Sequence, residues 1–416
     1  MREVGAPMSG AAKIVELLKV PGYRRFWGAG VASGLCRWLE ILAAGIYAFE
    51  TTGSPFLVAF LFFLRLMPLV LFGSIFGTLA DRWSPKYFLI AGLALASFAA
   101  TSVALLLVLG LGNYWIVAVA VFASGIVWSM DMPLRRRTLG DIAGPERLVT
   151  ALSFDGATNN ATRAFGPFAG GLIYLFFGAV GAFTLTAMFY AIGAFLIFRA
   201  GLDRKPSVGV GPATRILTEL REAFSLALRD KDIFRILAVT VAFNVFCLPF
   251  LSMIPVLGEE TLGLSADWIG VLGALEGGGA FIGALTIAIV NPRIEIRRIY
   301  FFGTFFYVVF VLLAGFVTQF APMAIIVLCI GLSAGAFTAA QAPLIYGAAP
   351  PHMRSRLFGL VALCIGAGGI GVANTGLMAE WFGAPIAVRV FAVEGLIAML
   401  AIGVGWRALW SPQRPH

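Results

Sequence analysis

Arg37, Glu40, Arg65, Arg163, Glu276, Arg389 and Glu394 each stand inside an otherwise apolar stretch. A charge at the centre of a bilayer costs roughly 2.5–3.5 kcal/mol, so such residues persist where they face a partner, a cavity or an ion path. Arg37 and Glu40 are three apart and share one helix face. Asp155, Asn159, Arg163, Gly166 and Gly170 step by four, four, three and four, which makes one polar-and-small stripe. The protonation of a carboxylate in a dry interior depends on whether a cation stands beside it. A carboxylate–arginine contact that forms and breaks can therefore take up and release a proton. Glu40 is assigned that role with Arg163 as its expected partner, and Glu276 and Asp155 are alternates. The competing reading for each is a static ion pair that fixes helix packing.

The elements that must hold these groups follow from composition. Of 416 residues, 60% are apolar and 12% are charged. Soluble domains carry about a quarter charged residues, so the chain cannot skin two or three water-soluble domains, and it is too apolar for disorder. A helix crosses a bilayer with about 20 mainly apolar residues. Twelve stretches qualify, near 26–48, 56–79, 87–109, 113–131, 147–176, 179–199, 233–257, 267–290, 299–318, 322–345, 357–381 and 385–408. The first is expected to be a retained span, since no small-residue cleavage site follows it. Counted at about 1.5 Å per residue, Glu40, Arg65 and Glu276 each fall about 21 Å from the basic-loop end of their spans. Arg163 falls at about 24 Å and Arg37 at about 16 Å, so the costly residues gather in one slab.

Lysine and arginine fall before span 1, in alternate connections from 2–3 to 10–11, and in the tail; the connections 1–2, 3–4, 5–6, 7–8, 9–10 and 11–12 hold none. By the positive-inside rule both termini are cytoplasmic, in a multi-pass protein of the inner membrane. A net charge of +9 could suggest nucleic acid, but these short clusters between apolar runs argue for a lipid bilayer instead. Cys36, Cys247, Cys329 and Cys364 lie in apolar stretches without ligand spacing, and histidine occurs only at 352 and 416. No metal site, disulfide framework or cofactor is expected.

The chain divides into 1–199, a linker at 200–232 and 233–416. ILTELREAFSLALRD, within the linker, has helical amphipathic spacing and suits a membrane surface; a plain linker is the alternative. Met132-Pro133-Leu134 and Ala342-Pro343-Leu344 repeat at an offset of 210, which aligns Asp131 with Gln341. Two six-span halves around a central cavity, with substrate near the midplane, is the architecture such a duplication implies. Asp131, at the end of span 4, reads as a gate or loop anchor. Glu50, Glu259, Glu260 and Glu380 fall near the outer surface. The glycines of EGGGAFIGA (276–284) lack a Gly-Lys-Ser/Thr ending and read as helix packing rather than a phosphate loop.

The 2–3 turn reads Gly77-Thr-Leu-Ala-Asp81-Arg82-Trp-Ser-Pro-Lys86. This resembles the loop motif of the major facilitator superfamily, with Ser84 where that family usually has glycine. The resemblance implies an all-α membrane protein of twelve transmembrane helices in two six-helix bundles. It also implies that Gly77, Asp81, Arg82 and Lys86 form a conformational gate. WLEILAAGIYAFETTGSP (38–55), FLRLMPLVLFGSIFGTLADR (63–82), DMPLRRRTLGDIAGPERLVTALS (131–153) and NNATRAFGPFAGG (159–171) look like the branch of the enterobactin exporter and macrolide efflux proteins. Gly166-Pro167 with Gly170-Gly171 resembles the span 5 motif of proton antiporters; Ser153 and Thr162 replace two upstream glycines of that motif, and the usual span 4 arginine is absent. Close packing by small residues is the alternative.

These readings converge on a monomeric, non-enzymatic secondary transporter that exports a small amphipathic molecule, drug-like or siderophore, in exchange for protons by alternating access. Uptake or facilitated diffusion, or a non-transporting scaffold or sensor, are the alternatives. Trp38, Trp128, Phe243 and Phe246 are the candidate substrate contacts.

Overall fold

The computed structural model describes residues 10–82, 84–144, 147–201, 214–290, 295–350, 353–406 and 409. The regular elements among them are all helical. Helix α1 (Gly10–Lys19) leads into α2 (Pro21–Thr52), α3 (Pro55–Arg82), α4 (Pro85–Val108), α5 (Tyr114–Ala143) and α6 (Leu148–Phe198). After α7 (Thr214–Arg229) come α8 (Lys231–Phe246), α9 (Phe250–Val256), a π-helical turn (Leu257–Thr261) and α10 (Ala266–Val290). The chain closes with α11 (Ile296–Ala314), α12 (Phe320–Ala348), α13 (Arg354–Gly366), α14 (Gly368–Phe382) and α15 (Ala384–Gly405).

Eleven described segments are long and apolar enough to cross a membrane, and one of them, 150–198, is 49 residues long. At 1.5 Å per residue it would reach about 74 Å, over twice the thickness of a hydrocarbon core. It breaks at Gly178, where φ is 60° and ψ is −163°, a conformation in which a Cβ would clash. The break turns the chain back and makes twelve passes. Pass seven is α8 with α9 and the π-helical turn, and pass eleven is α13 with α14. An even number of passes returns the chain to the face where it began, here termed the terminal face; the other is the far face.

Local chemistry sets the ends. Pro21 and Pro85 open α2 and α4 in the first turn, where a missing N–H is harmless. The Asn113 side chain accepts the Ile116 N–H at 3.2 Å to cap α5. Asp230 caps α8 by accepting the N–H groups of Asp232 at 2.9 Å and Ile233 at 3.1 Å.

Helices α2–α6 pack into one lobe and α8–α15 into another. Outward faces carry exposed apolar side chains, among them Phe98, Val119, Phe195 and Val404, with Trp115 and Trp381 near the far-face ends of their helices. That pattern suits a lipid surround with an aromatic belt. The lobes meet along α6 with α10 and along α3 with α14. Glycine makes the approach possible. A Cβ on Gly171 would overlap the Ala266 carbonyl, one on Gly277 the Arg163 carbonyl, and one on Gly376 the Ala59 side chain. Gly279 and Gly283 seat α10 against α12 in the same way, so the glycine run at 276–284 serves packing. Toward the terminal face the lobes part. Gly156, Ala157 and Asn159 on α6 are exposed, and nothing stands within 4 Å of a Cβ built on Gly156.

The apolar part of span 4 ends at Asp131, as expected, but the helix α5 itself continues to Ala143. Asp131 therefore lies inside the helix, about 18 Å from its terminal-face end.

Candidate functional site

The cleft between the lobes ends at an ion pair. Arg163 on α6 donates through Nε to Glu276 Oε2 at 3.0 Å, and through Nη2 to Glu276 Oε1 in a second, shorter bond. Two parallel bonds fix the plane of both groups. Glu276 belongs to α10, so this fork bridges the lobes. The Arg163 guanidinium also lies 5.3 Å from the centre of the Trp38 ring. Beside the pair is a cavity of about 40 Å³ lined by Trp38, Phe62, Pro167, Leu251 and Ile254, room for a few waters.

The expected Glu40–Arg163 contact does not form. Glu40 is buried in the first lobe, where it accepts from Arg65 Nη1 at 3.3 Å and from the Tyr190 hydroxyl at 3.2 Å. Arg65 Nη1 also donates to Ser124 Oγ at 3.0 Å. The physical reason is azimuth. Arg65 and Arg163 sit at similar depths, but α3 presents Arg65 to Glu40, while Arg163 faces α10.

A second cluster lies nearer the terminal face. Asp131 accepts from Arg135 Nε at 3.0 Å and Nη2 at 2.8 Å, and stands 3.6 Å from Arg37. Arg135 Nη2 reaches Ser33 Oγ at 3.3 Å, and Arg37 Nη1 reaches Asn159 Oδ1 at 3.5 Å. Asp155 is close to Arg135 on the side of Gly30. A small cavity lined by Ser33, Arg37, Arg65, Ser124, Trp128 and Tyr190 lies between this cluster and the Glu40 pair. The stripe Asp155–Asn159–Arg163 thus serves three partners at three depths. Sequence reasoning missed Arg135, Ser33, Ser124 and Tyr190. Only Arg135 carried a signal, its i,i+4 spacing from Asp131.

The four glycine-motif positions divide between two neighbours. Gly166 and Gly170 lie against Trp38 and Leu39 of α2, Gly171 lies against α10, and Pro167 packs on Gly273. Of the proposed substrate contacts, Trp38 and Trp128 line the two cavities, and Trp128 lies beneath Arg37 at 5.6 Å. Phe243 instead stacks on Phe337 at 3.7 Å in the core of the second lobe, and Phe246 packs on Phe391 at 5.9 Å. Neither lines either cavity. In the loop motif Lys86 is buried, 5.7 Å from the Phe198 ring. Gly77, Asp81 and Arg82 belong to the last turns of α3; the side chains of Asp81 and Arg82 lie outside the described residues.

The second lobe answers the first with neutral groups. Gln341, the repeat partner of Asp131, donates to Thr240 Oγ1 at 3.5 Å, and that hydroxyl pairs with Tyr300 at 2.6 Å. At the far face one carboxylate crosses between lobes. Glu380 of α14 accepts from Ser54 Oγ at 2.6 Å and from the Phe56 N–H at 3.2 Å, at the first turn of α3. A carboxylate there satisfies an orphan N–H and meets the positive end of the helix dipole. Glu380 is exposed, in keeping with the outer-surface placement expected of it; its distance in sequence from α3 hid this cross-lobe contact.

Twelve passes, two lobes and a cleft closed at one face invite comparison with known membrane proteins. The family described as "Transmembrane secretion effector" matches residues 16–408. The chain belongs to that family, within the major facilitator superfamily. It is 24% identical over 394 residues to the MFS-type transporter YfiS of Bacillus subtilis (strain 168), covering 88% of this chain and 90% of the relative. It is 22% identical over 288 residues to the staphyloferrin A transporter of Staphylococcus aureus (strain NCTC 8325 / PS 47), covering 68% and 70%. Among solved structures, the nucleoside transporter NupG aligns with a TM-score of 0.72 at 13% identity, over 93% of this chain and 99% of that one. A bacterial homologue of the human lysosomal transporter Spinster, in an inward-facing and unoccupied conformation, aligns with a TM-score of 0.67 at 16% identity, over 95% of each chain. These likenesses establish the facilitator fold. The protein is a membrane transporter of the major facilitator type, and its family and fold point to transport rather than catalysis.

Proposed function

We propose that the protein exports a small, mainly apolar molecule across the cytoplasmic membrane in exchange for protons, by alternating access. The observation that carries this reading is a pair of mid-depth carboxylate–guanidinium contacts. Glu40–Arg65 lies wholly within one lobe, and Arg163–Glu276 joins the two lobes at the floor of the cleft. A contact inside a lobe can change protonation without moving the lobes; a contact between lobes must break when they swing. The basic connections support a cytoplasmic terminal face, and with it cytoplasmic termini. The cleft then faces inward. One chain supplies both lobes, so the monomer is the transporting unit. The matched family's description speaks of secretion, which agrees with export; one relative is a staphyloferrin A transporter, which supports the siderophore alternative for the substrate.

Glu40 is the proton-responsive acid in this scheme: its contact with Arg65 lies within one lobe, so it can break when Glu40 takes up a proton and re-form when the proton leaves. Flux into proteoliposomes under imposed pH gradients of either sign tests the scheme. Glu40→Gln should abolish gradient-driven accumulation and retain substrate exchange. Accumulation equal to that of the unaltered protein would reject the assignment, and accumulation driven only by a gradient of the opposite sense would turn export into uptake.

A further inference from the structure

The cavity at the cleft floor holds hydrogen-bond donors that the described residues leave unused. Arg163 spends Nε and Nη2 on Glu276, and a guanidinium carries five N–H donors, so others remain on the same plane. Trp38 Nε1 is buried with no hydrogen-bond partner among the described residues, and its ring lies beneath that guanidinium. An acceptor placed beside both recovers the cost of a buried, unpaired donor. The rest of the wall, Phe62, Leu251 and Ile254, is apolar.

Charge narrows what that acceptor is. Arg163 and Glu276 neutralise each other, so the site is balanced before any ligand arrives. A carboxylate would set a second anion beside Glu276, and an ammonium a second cation beside Arg163. Either leaves an uncompensated charge in a poorly hydrated space. A neutral oxygen meets both donors at no such cost.

We propose that this cavity is a substrate subsite for an uncharged hydrogen-bond acceptor, a ketone, ester or ether oxygen at the head of a mainly apolar molecule, held by Trp38 Nε1 and Arg163. The proposal rests on the transport reading for its biological meaning but not for its chemistry. Facing lobes supply the two sides of the subsite, since Trp38 and Arg163 belong to one and Leu251 and Ile254 to the other. A head group seated there touches the inter-lobe ion pair directly.

The test is calorimetric titration of the purified full chain with four compounds that share a phenylalkyl body: benzylacetone, butylbenzene, phenylbutyrate and phenylbutylamine. Benzylacetone should bind about tenfold more tightly than butylbenzene, the margin expected of one buried hydrogen bond to a charged or orphan donor, and more tightly than either ion. Trp38→Phe keeps an aromatic face and removes the N–H. It should bring ketone affinity down to that of butylbenzene measured on the same variant, with an unchanged gel-filtration profile and thermal midpoint showing that the variant is folded. Equal binding of ketone and hydrocarbon, tightest binding by an ion, no binding by any of the four, or a ketone preference that survives Trp38→Phe would overturn the proposal. Head-group selectivity without flux in proteoliposomes would defeat the transport reading and leave the subsite standing; flux without that selectivity would do the reverse.

Discussion

Arg163 and Glu276 lie in different halves of the chain, and their side chains meet in a two-bond fork at the floor of the cleft. The helices that carry them touch through glycine. Gly277, next to Glu276, sits against the Arg163 carbonyl, and Gly171 and Gly270 continue the seam toward the far face. Backbone contact and ion pair therefore reinforce one another along α6 and α10. Both must be undone for the far face to open.

That seam distinguishes two neighbouring glycines. A Cβ on Gly277 would overlap backbone of the opposite lobe, whereas one on Gly278 meets nothing within 4 Å. Gly277→Ala should weaken the far-face closure by about 1–3 kcal/mol, the usual cost of overpacking, and lower transport sharply. Gly278→Ala should behave as the unaltered protein. Flux in proteoliposomes, with thermal stability followed by fluorescence-detected gel filtration, reads both. Equal effects of the two substitutions would remove the seam from the explanation.

The Glu380 contact makes a separate prediction at the far face. Its carboxylate takes the Ser54 hydroxyl and the Phe56 N–H across the lobe boundary. Loss of a helix-capping acceptor costs about 1 kcal/mol. Glu380→Ala should therefore raise the far-face-open population several-fold. Ser54→Ala should do less, and the double variant should fall short of the sum, because both act on one contact. Alkylation rates of a cysteine placed at Thr52 measure that population. Strict additivity would show that Ser54 and Glu380 act independently.

Much of this architecture was legible in the residues. The alternation of connections with and without lysine or arginine marked twelve passes, and the Gly178 break falls between the two spans drawn at 147–176 and 179–199. Depth was legible too, because rise per residue is fixed and the costly charges fell in one slab. Partner choice was not. Three arginines stand within a turn or two of Glu40's depth, and depth says nothing about rotation around a helix axis, so Arg163 was matched to Glu40 where Arg65 is the partner. Asp131 was placed at a helix end because Arg135–Arg137 read as loop. The chain stays helical there, and Arg135 folds back onto Asp131 within α5. Phe243 and Phe246 lie on α8, in the same membrane pass as the cavity-lining Leu251 and Ile254 of α9, but aromatic type alone does not separate a lining ring from a core ring. The Glu380–Ser54 contact joins residues 326 apart in sequence and left no local trace.

The central claim is that two lobes swing about the Arg163–Glu276 contact so that one face closes as the other opens. Pulsed electron-electron spin resonance measures this most directly, in a background cleared of the four native cysteines. One label pair, at Leu111 and Phe316, spans the far face, and the other, at Ala157 and Tyr346, spans the terminal face. Removing one partner of a buried pair costs about 3–5 kcal/mol, enough to redistribute a two-state equilibrium. Glu276→Gln should lengthen the far-face distance and shorten the terminal-face distance together. Unchanged distances, or a change of the same sign at both faces, would contradict it.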